Sequence, residues 1–260
     1  MVSCNMLRNP YGAMSVSGGH VSIEECRFLN STASALAITG GRILVDRSNF
    51  SANGADNING GAIRAHGGVV TLRRSLFEGN NANNGGALFV DGEGSYQVLQ
   101  STFRMNLAAA RGGAVFISAG RMTLGDRTIL DETNRAAADG TSLAIRSRAR
   151  VVYTLPTPTG HWVANPLNCS ASSTQNYCTA MNASSIIWPL TSDADDVVPL
   201  RCQPGYLGST EDETTQMSSR CAGVCPSGKY CAMGGSSGTD CQTGYYCPPG
   251  TTNPRPWCVA

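Results

Sequence analysis

Apolar and polar positions alternate with a spacing of two in short runs, and up to position 152 the runs recur with a period of about 25 residues, within the range of known solenoid repeats. Aligned on one apolar position, the copies read CNMLRN, CRFLNS, SNFSAN, SLFEGN, STFRMN and TILDET. This puts Met6, Phe28, Phe50, Phe77, Phe103 and Leu130 in one column. Two further segments keep register with it. One carries Met14, Leu36, Ile63, Leu88, Val115 and Leu143, each followed two residues later by Val16, Ile38, Ala65, Val90, Ile117 and Ile145. The other carries Val21, Ile43, Val70, Tyr96 and Met122, each two residues ahead of Ile23, Val45, Leu72, Val98 and Leu124. A spacing of two is one face of a strand.

Three short strands per repeat, with Gly or Asn at the corners, predict an all-β fold: a right-handed parallel β-helix of about six coils. Its coils stack at ~4.8 Å with like residue over like. The Asn column, Asn53, Asn80 and Asn106, falls at a bend, where each amide can bond backbone and its neighbour above. A leucine-rich repeat has a similar length, but it needs a convex segment with its own apolar spacing. The stretches between copies here are Asn, Gly and Ala.

The motifs GGAI at Gly60, GGAL at Gly85 and GGAV at Gly112, alternating with FSAN, FEGN and FRMN, resemble the paired GGA[ILV] and FxxN repeats of the chlamydial polymorphic outer-membrane proteins and related surface β-helices. The resemblance covers roughly residues 1 to 150 and implies the same solenoid.

Cysteine divides the chain: Cys4 and Cys26 stand alone in the repeat, and nine of the eleven lie from Cys169 to Cys258. Cys4 and Cys26 share a column in adjacent coils, ~5 Å apart, which permits a disulfide and equally permits two packed thiols. After Arg150 the register fails in VVYTLPTPTGHWVANPLNC, so 153–200 reads as a linker region containing Cys169 and Cys178. From 201 onward come Cys202, Cys221, Cys225, Cys231, Cys241, Cys247 and Cys258, with CPSGKYC at Cys225 and CQTGYYC at Cys241 repeating one internal spacing. With few apolar residues, such a module must be held by covalent links, which persist in oxidising compartments. Zinc competes weakly, for there is no CxxC and no His after His161. These modules resemble ephrin-receptor-like (GCC2/GCC3) cysteine-rich repeats. Joined to β-helix coils, they resemble large predicted surface proteins of algae and other protists. That combination implies a secreted or cell-surface setting. The odd cysteine count and the third copy begun at Cys258 give the expectation of a fragment of a longer protein.

Formal charge is +1 overall, from fifteen basic against eleven acidic residues up to 152 and four against seven beyond, so neither half is polybasic. Nucleic acid is not an expected partner, and any membrane attachment is expected through regions outside this chain. Expected partners are other extracellular proteins or glycans, including further copies of the chain. A polysaccharide lyase or hydrolase would need clustered carboxylates. Asp46, Asp56, Glu78, Asp91, Glu93, Asp126 and Asp131 are instead scattered over outward positions, and His20, His66 and His161 lie at corners or in the linker. No catalytic residue, cofactor or metal is therefore assigned. Sequons mark Asn30, Asn49, Asn168 and Asn182 as glycosylation candidates, with Asn49 expected to face solvent. The insertions NGADNING and NNANN lengthen one corner of successive coils and nominate Asn53, Asp56, Asn57, Asn81, Asn83 and Asn84 as contact-loop residues. The expected role is a structural or adhesive rod with a disulfide stalk; a carbohydrate-active β-helix and a receptor ectodomain are the alternatives.

Overall fold

The structure is a computed structural model, describing residues 4–154, 156–163, 185–187, 199–208 and 218–256. Strands are the only regular elements among the described residues, and the chain divides into two compact units. The first unit contains residues 4–154 and is a parallel β-solenoid of about six turns, which the alternating columns predict.

Each coil lays down three strands in turn. The first wall stacks Asn5–Leu7, Arg27–Leu29, Asn49–Ser51, Leu76–Glu78, Thr102–Arg104 and Ile129–Leu130, all parallel. The second stacks Met14–Val16, Leu36–Ile38, Ile63–Ala65 and Leu88–Val90, then the start of the long strands Val115–Gly125 and Leu143–Thr154. The third stacks His20–Glu24, Arg42–Asp46, Gly68–Arg73 and Gly94–Leu99, then the ends of the same two long strands. In the last two coils the corner between second and third walls therefore vanishes into a continuous strand, bent at Gly120 (φ 87°).

The inward columns form the core. Phe28, Phe50, Phe77 and Phe103 stack nearly parallel with ring centroids 4.5, 5.0 and 4.4 Å apart. All four are fully buried. In the third wall the inward column Ile23, Val45, Leu72, Val98 and Leu124 ends on Tyr153 of Leu143–Thr154, also fully buried, whose hydroxyl donates to the Thr128 carbonyl at 2.8 Å. Burial in this apolar interior, with a smaller contribution from Asp126, pushes the Tyr153 phenol far up.

A coil that turns three times leaves corner amides and carbonyls without strand partners, and buried backbone groups must be satisfied. Two side-chain ladders do this. At the corner after the first wall, Asn80 Nδ2 donates to the Phe50 carbonyl at 2.9 Å and to Asn106 Oδ1 at 3.0 Å. Its own Oδ1 accepts from the backbone and side-chain amides of Asn53, both at 3.1 Å. Asn53 and Asn106 repeat the pattern. The ladder ends on Asn134, one residue beyond the Thr133 that the repeat alignment puts in this column. At the corner before the first wall, Ser48, Ser75 and Ser101 each donate to a carbonyl two residues back. Each also accepts the backbone N–H of the preceding coil. Cys4 and Cys26 occupy this hydroxyl column in the first two coils and are disulfide-bonded, with Cα atoms 4.5 Å apart. There a covalent link takes the place of the cross-coil hydroxyl bond.

The GGA spelling has a separate cause. The first Gly of each pair, Gly60, Gly85 and Gly112, has φ between 61° and 70°. The second has no room for a side chain: a Cβ on Gly86 would sit 2.2 Å from the Gly113 carbonyl oxygen and 2.5 Å from that of Leu107. Left-handed backbone is not confined to glycine here, since Glu25, Arg47, Arg74 and Gln100 adopt it at one corner and Arg8, Asn30, Ala52 and Met105 at another.

The second unit is built on a repeated tight turn. Four segments of pattern Cys-x-x-Gly, starting at Cys202, Cys225, Cys241 and Cys247, place Gly205, Gly228, Gly244 and Gly250 at φ between 82° and 87°. Each turn is closed by a backbone bond across it, such as Tyr245 N–H to the Gln242 carbonyl at 3.0 Å. Glycine with positive φ at the third position is the requirement of a type II turn. Pro158 to His161, in the segment read as linker, makes a fifth such turn around Gly160 (φ 81°). The turns are linked in series: the N–H groups of Cys202, Cys225 and Cys241 donate to the carbonyls of Gly160, Gly205 and Gly228. Disulfides join Cys202 to Cys221, Cys225 to Cys231 and Cys241 to Cys247. Cys169, Cys178 and Cys258 lie outside the described residues.

The Asn ladder has one defect. Ser31 occupies its column in the second coil, and its buried hydroxyl has no hydrogen-bond partner. Ser31→Asn should complete the ladder towards Asn53 and the Met6 carbonyl, adding about 1 kcal/mol. The solenoid should then melt roughly 2 to 4 °C higher by calorimetry. Asn80→Ala strands buried partners on both adjacent coils and should cost about 3 kcal/mol in the same measurement.

Candidate contact surface

The corner insertions are folded into the solenoid to different depths. In NNANN, Asn80 is in the buried ladder and Asn81–Asn84 is a strand, paired in parallel with Leu107–Arg111, which pairs in turn with Arg135–Ala136. A short fourth sheet thus stands where a projecting loop is expected, because the lengthened corner in three successive coils provides enough backbone for strands to pair. Asn53 leaves the contact set altogether: it is 1% exposed and committed to the ladder. Of the others, Asp56, Asn57 and Asn83 are exposed, whereas Asn81 and Asn84 are half-buried. Asn81 Nδ2 donates to Asp56 Oδ1 at 2.6 Å and Asn84 Nδ2 to Asn59 Oδ1 at 3.0 Å, so the NGADNING loop is tied down onto the next coil.

Asp46, expected among the scattered outward carboxylates, is buried with its side chain 1% exposed. Arg74 Nε donates to its Oδ1 at 2.8 Å, Arg47 Nη1 to Oδ2 at 2.9 Å and Arg73 Nη2 to Oδ2 at 3.2 Å. Arg47 also reaches Glu25 at 3.0 Å and Glu24 at 3.4 Å. Burial alone would raise the Asp46 carboxyl. Hydrogen bonds from Arg74 and Arg73, with the charges of Arg73 and Arg47, outweigh it and hold the group below the ordinary carboxylate range. Three acids face three arginines, and this edge of the third wall is electrically closed.

A second cluster lies where the second wall ends. His66 and Asp91 each follow the last inward residue of that wall, Ala65 and Val90, in successive coils. His66 Nδ1 meets Asp91 Oδ1 at 2.8 Å, and Arg64 approaches the other carboxylate oxygen at 3.8 Å. They border a shallow groove of about 310 Å3 lined by Ala37, Ile38, Thr39, Arg64 and His66. The dyad is legible only in register, because its members belong to different coils. Burial first, then the charges of Asp91 and Glu93, push the neighbouring Tyr96 phenol up to about 12. The remaining outward acid of the first wall, Glu78, pairs with Arg104 at 2.9 Å. Among the described residues no group of three or more His, Cys, Asp or Glu converges as metal ligands would.

Of the sequons, Asn30 is exposed at a left-handed corner, and Asn49 lies half-exposed on the outer face of the first wall, where Ser51 donates to its Oδ1 at 2.6 Å. Asn168 and Asn182 lie outside the described residues. Comparison of the chain with protein-family models, with curated proteins and with solved structures finds no match.

The Asp46 cluster sets a pH dependence. A carboxyl whose folded pKa is depressed contributes stability that is present above its unfolded value, ~3.9, and lost as pH falls through the folded value. Asp46→Asn should therefore cost about 2 kcal/mol at pH 7. Its difference from wild type should shrink steadily below pH ~4, as chemical denaturation across pH would show. A pH-independent gap would assign the loss to packing instead.

Proposed function

We propose that this chain is an extracellular structural or adhesive element, in which a β-helix rod is followed in sequence by a disulfide-held module and displays its outer faces to other proteins or glycans. The observation that carries this reading is the covalent cross-linking: a bridge between two adjacent coils of the solenoid and three in a unit of small, turn-built segments. Disulfides persist where the surroundings are oxidising, and small units with little apolar core depend on them. The solenoid supports the mechanical half of the proposal, since coils bond to their neighbours along the stacked walls and, from the second coil onward, through the two side-chain ladders. The exposed sequon at Asn30 is consistent with a secretory route. The reading assigns the chain no catalysis; its work is to hold spacing and present surface.

Peptide mapping of native protein under non-reducing conditions tests it. Cys4 should be recovered linked to Cys26, Cys225 to Cys231 and Cys241 to Cys247, and Asn30 should carry glycan. Recovery of these cysteines mainly as free thiols would sink the extracellular assignment.

A further inference from the structure

The outer face of the third wall is divided by charge. Along the edge at Asp46, acids and arginines neutralise one another. Along the opposite edge the outward column reads, coil by coil, His20, Arg42, Val69, Ser95, Arg121 and Arg150. Arg148, two residues before Arg150 on the same face, stands beside Ala119. His20, Arg42, Arg121, Arg148 and Arg150 are all exposed, and none forms an ion pair among the described residues. Arg121 and Arg150 are directly in register on adjacent parallel strands, ~4.8 Å apart, an arrangement of like charges that a sheet disfavours. The acids at the adjoining corner, Asp91 and Glu93, form no ion pair with it. Asp91 is held by His66 and Arg64, and Glu93 stands alone at the corner ahead of Gly94–Leu99.

Beside this row runs a second outward column: Ser22, Leu44, Thr71, Gln97, Thr123 and Val152. Thr71, Gln97 and Thr123 place a hydroxyl or amide on three successive coils between the apolar Leu44 and Val152, while the Ser22 hydroxyl donates to Glu24 at 2.8 Å. The outward positions of the described wall include no Phe, Tyr or Trp on which a nucleic-acid base could stack.

We propose that this face binds an acidic polysaccharide laid along the solenoid axis. The arginine row takes its carboxylate or sulfate groups, and Thr71, Gln97 and Thr123 bond its hydroxyls. The coil spacing places a hydrogen-bonding or cationic group at nearly every step of an extended sugar chain. Charge complementarity selects an anion, and the flat polar column selects a hydroxylated one. The proposal names a partner for the surface presented in the extracellular reading and rests on that reading for the polymer's presence.

The purified, oxidised full chain would be titrated with dextran sulfate, polygalacturonate, uncharged dextran and a short duplex DNA, with salt varied. Dextran sulfate or polygalacturonate should bind, and whichever is tighter identifies sulfate or carboxylate as the preferred group; dextran should not bind. The double variant Arg121→Gln/Arg150→Gln should weaken binding roughly tenfold and flatten its salt dependence. The control Arg8→Gln/Arg27→Gln, equal in charge change but away from this wall, should stay within about twofold of wild type, since only contacting charges release counterions. Melting temperatures of both variants confirm that they fold. Equal losses in the two variants, binding of DNA as tight as either acidic polysaccharide, or no binding to either polymer would each overturn the proposal. Native thiols found reduced would sink the extracellular reading yet leave this binding measurement standing.

Discussion

Everything in the first unit follows from the need to satisfy corner backbone between stacked coils. Strand segments bond to the coil above and below without help, but the bends on either side of the first wall bury amides and carbonyls that have no strand partner. Asn53, Asn80, Asn106 and Asn134 answer this at one corner by bonding backbone in two coils and one another's amides. Ser48, Ser75, Ser101 and Thr128 answer it at another. Because each residue completes its neighbour's hydrogen bonds, the same residue is required again one coil on. The sequence repeat is the record of that requirement, and the Phe stack is its apolar counterpart.

This explains which features are legible in the chain. Inward columns are dictated by contact with an identical column, so Met14 through Leu143 and Met6 through Leu130 can be placed in register from spacing alone. Outward side chains answer to no such neighbour. Asp46 reads as one more surface acid until Arg73, at the matching position of the next coil, is seen to stand beside it. His66 and Asp91 likewise meet only through the stack. Asn81–Asn84 reads as a loop because its partner strand, Leu107–Arg111, is rich in alanine and has no alternation to announce it. Tyr153 escapes placement because the Pro-rich stretch that follows obscures where the last strand ends.

The second unit is stabilised by a different means. Its repeated element is a tight turn, and the requirement it leaves in sequence is a glycine three positions after a cysteine. The cysteines themselves draw attention to disulfides. They conceal the turn at Gly160, which has the same geometry and the same backbone bond to the next turn but no cysteine at its head.

The contrast between inner and outer columns bears on how function can be read from such a fold. A parallel solenoid amplifies any outward residue into a row, so like charges in register are disfavoured unless something relieves them. At the Asp46 edge the relief is internal: arginines at the left-handed corner, Arg47 and Arg74, fold back over the acid. At the Arg121 edge no described acid does so: Glu93, at the corner two residues before Ser95, makes no ion pair with the row. An arginine row left open along one edge, beside an edge closed by three ion-pairing arginines, is therefore better explained by a ligand outside the chain than by the folding of the chain itself.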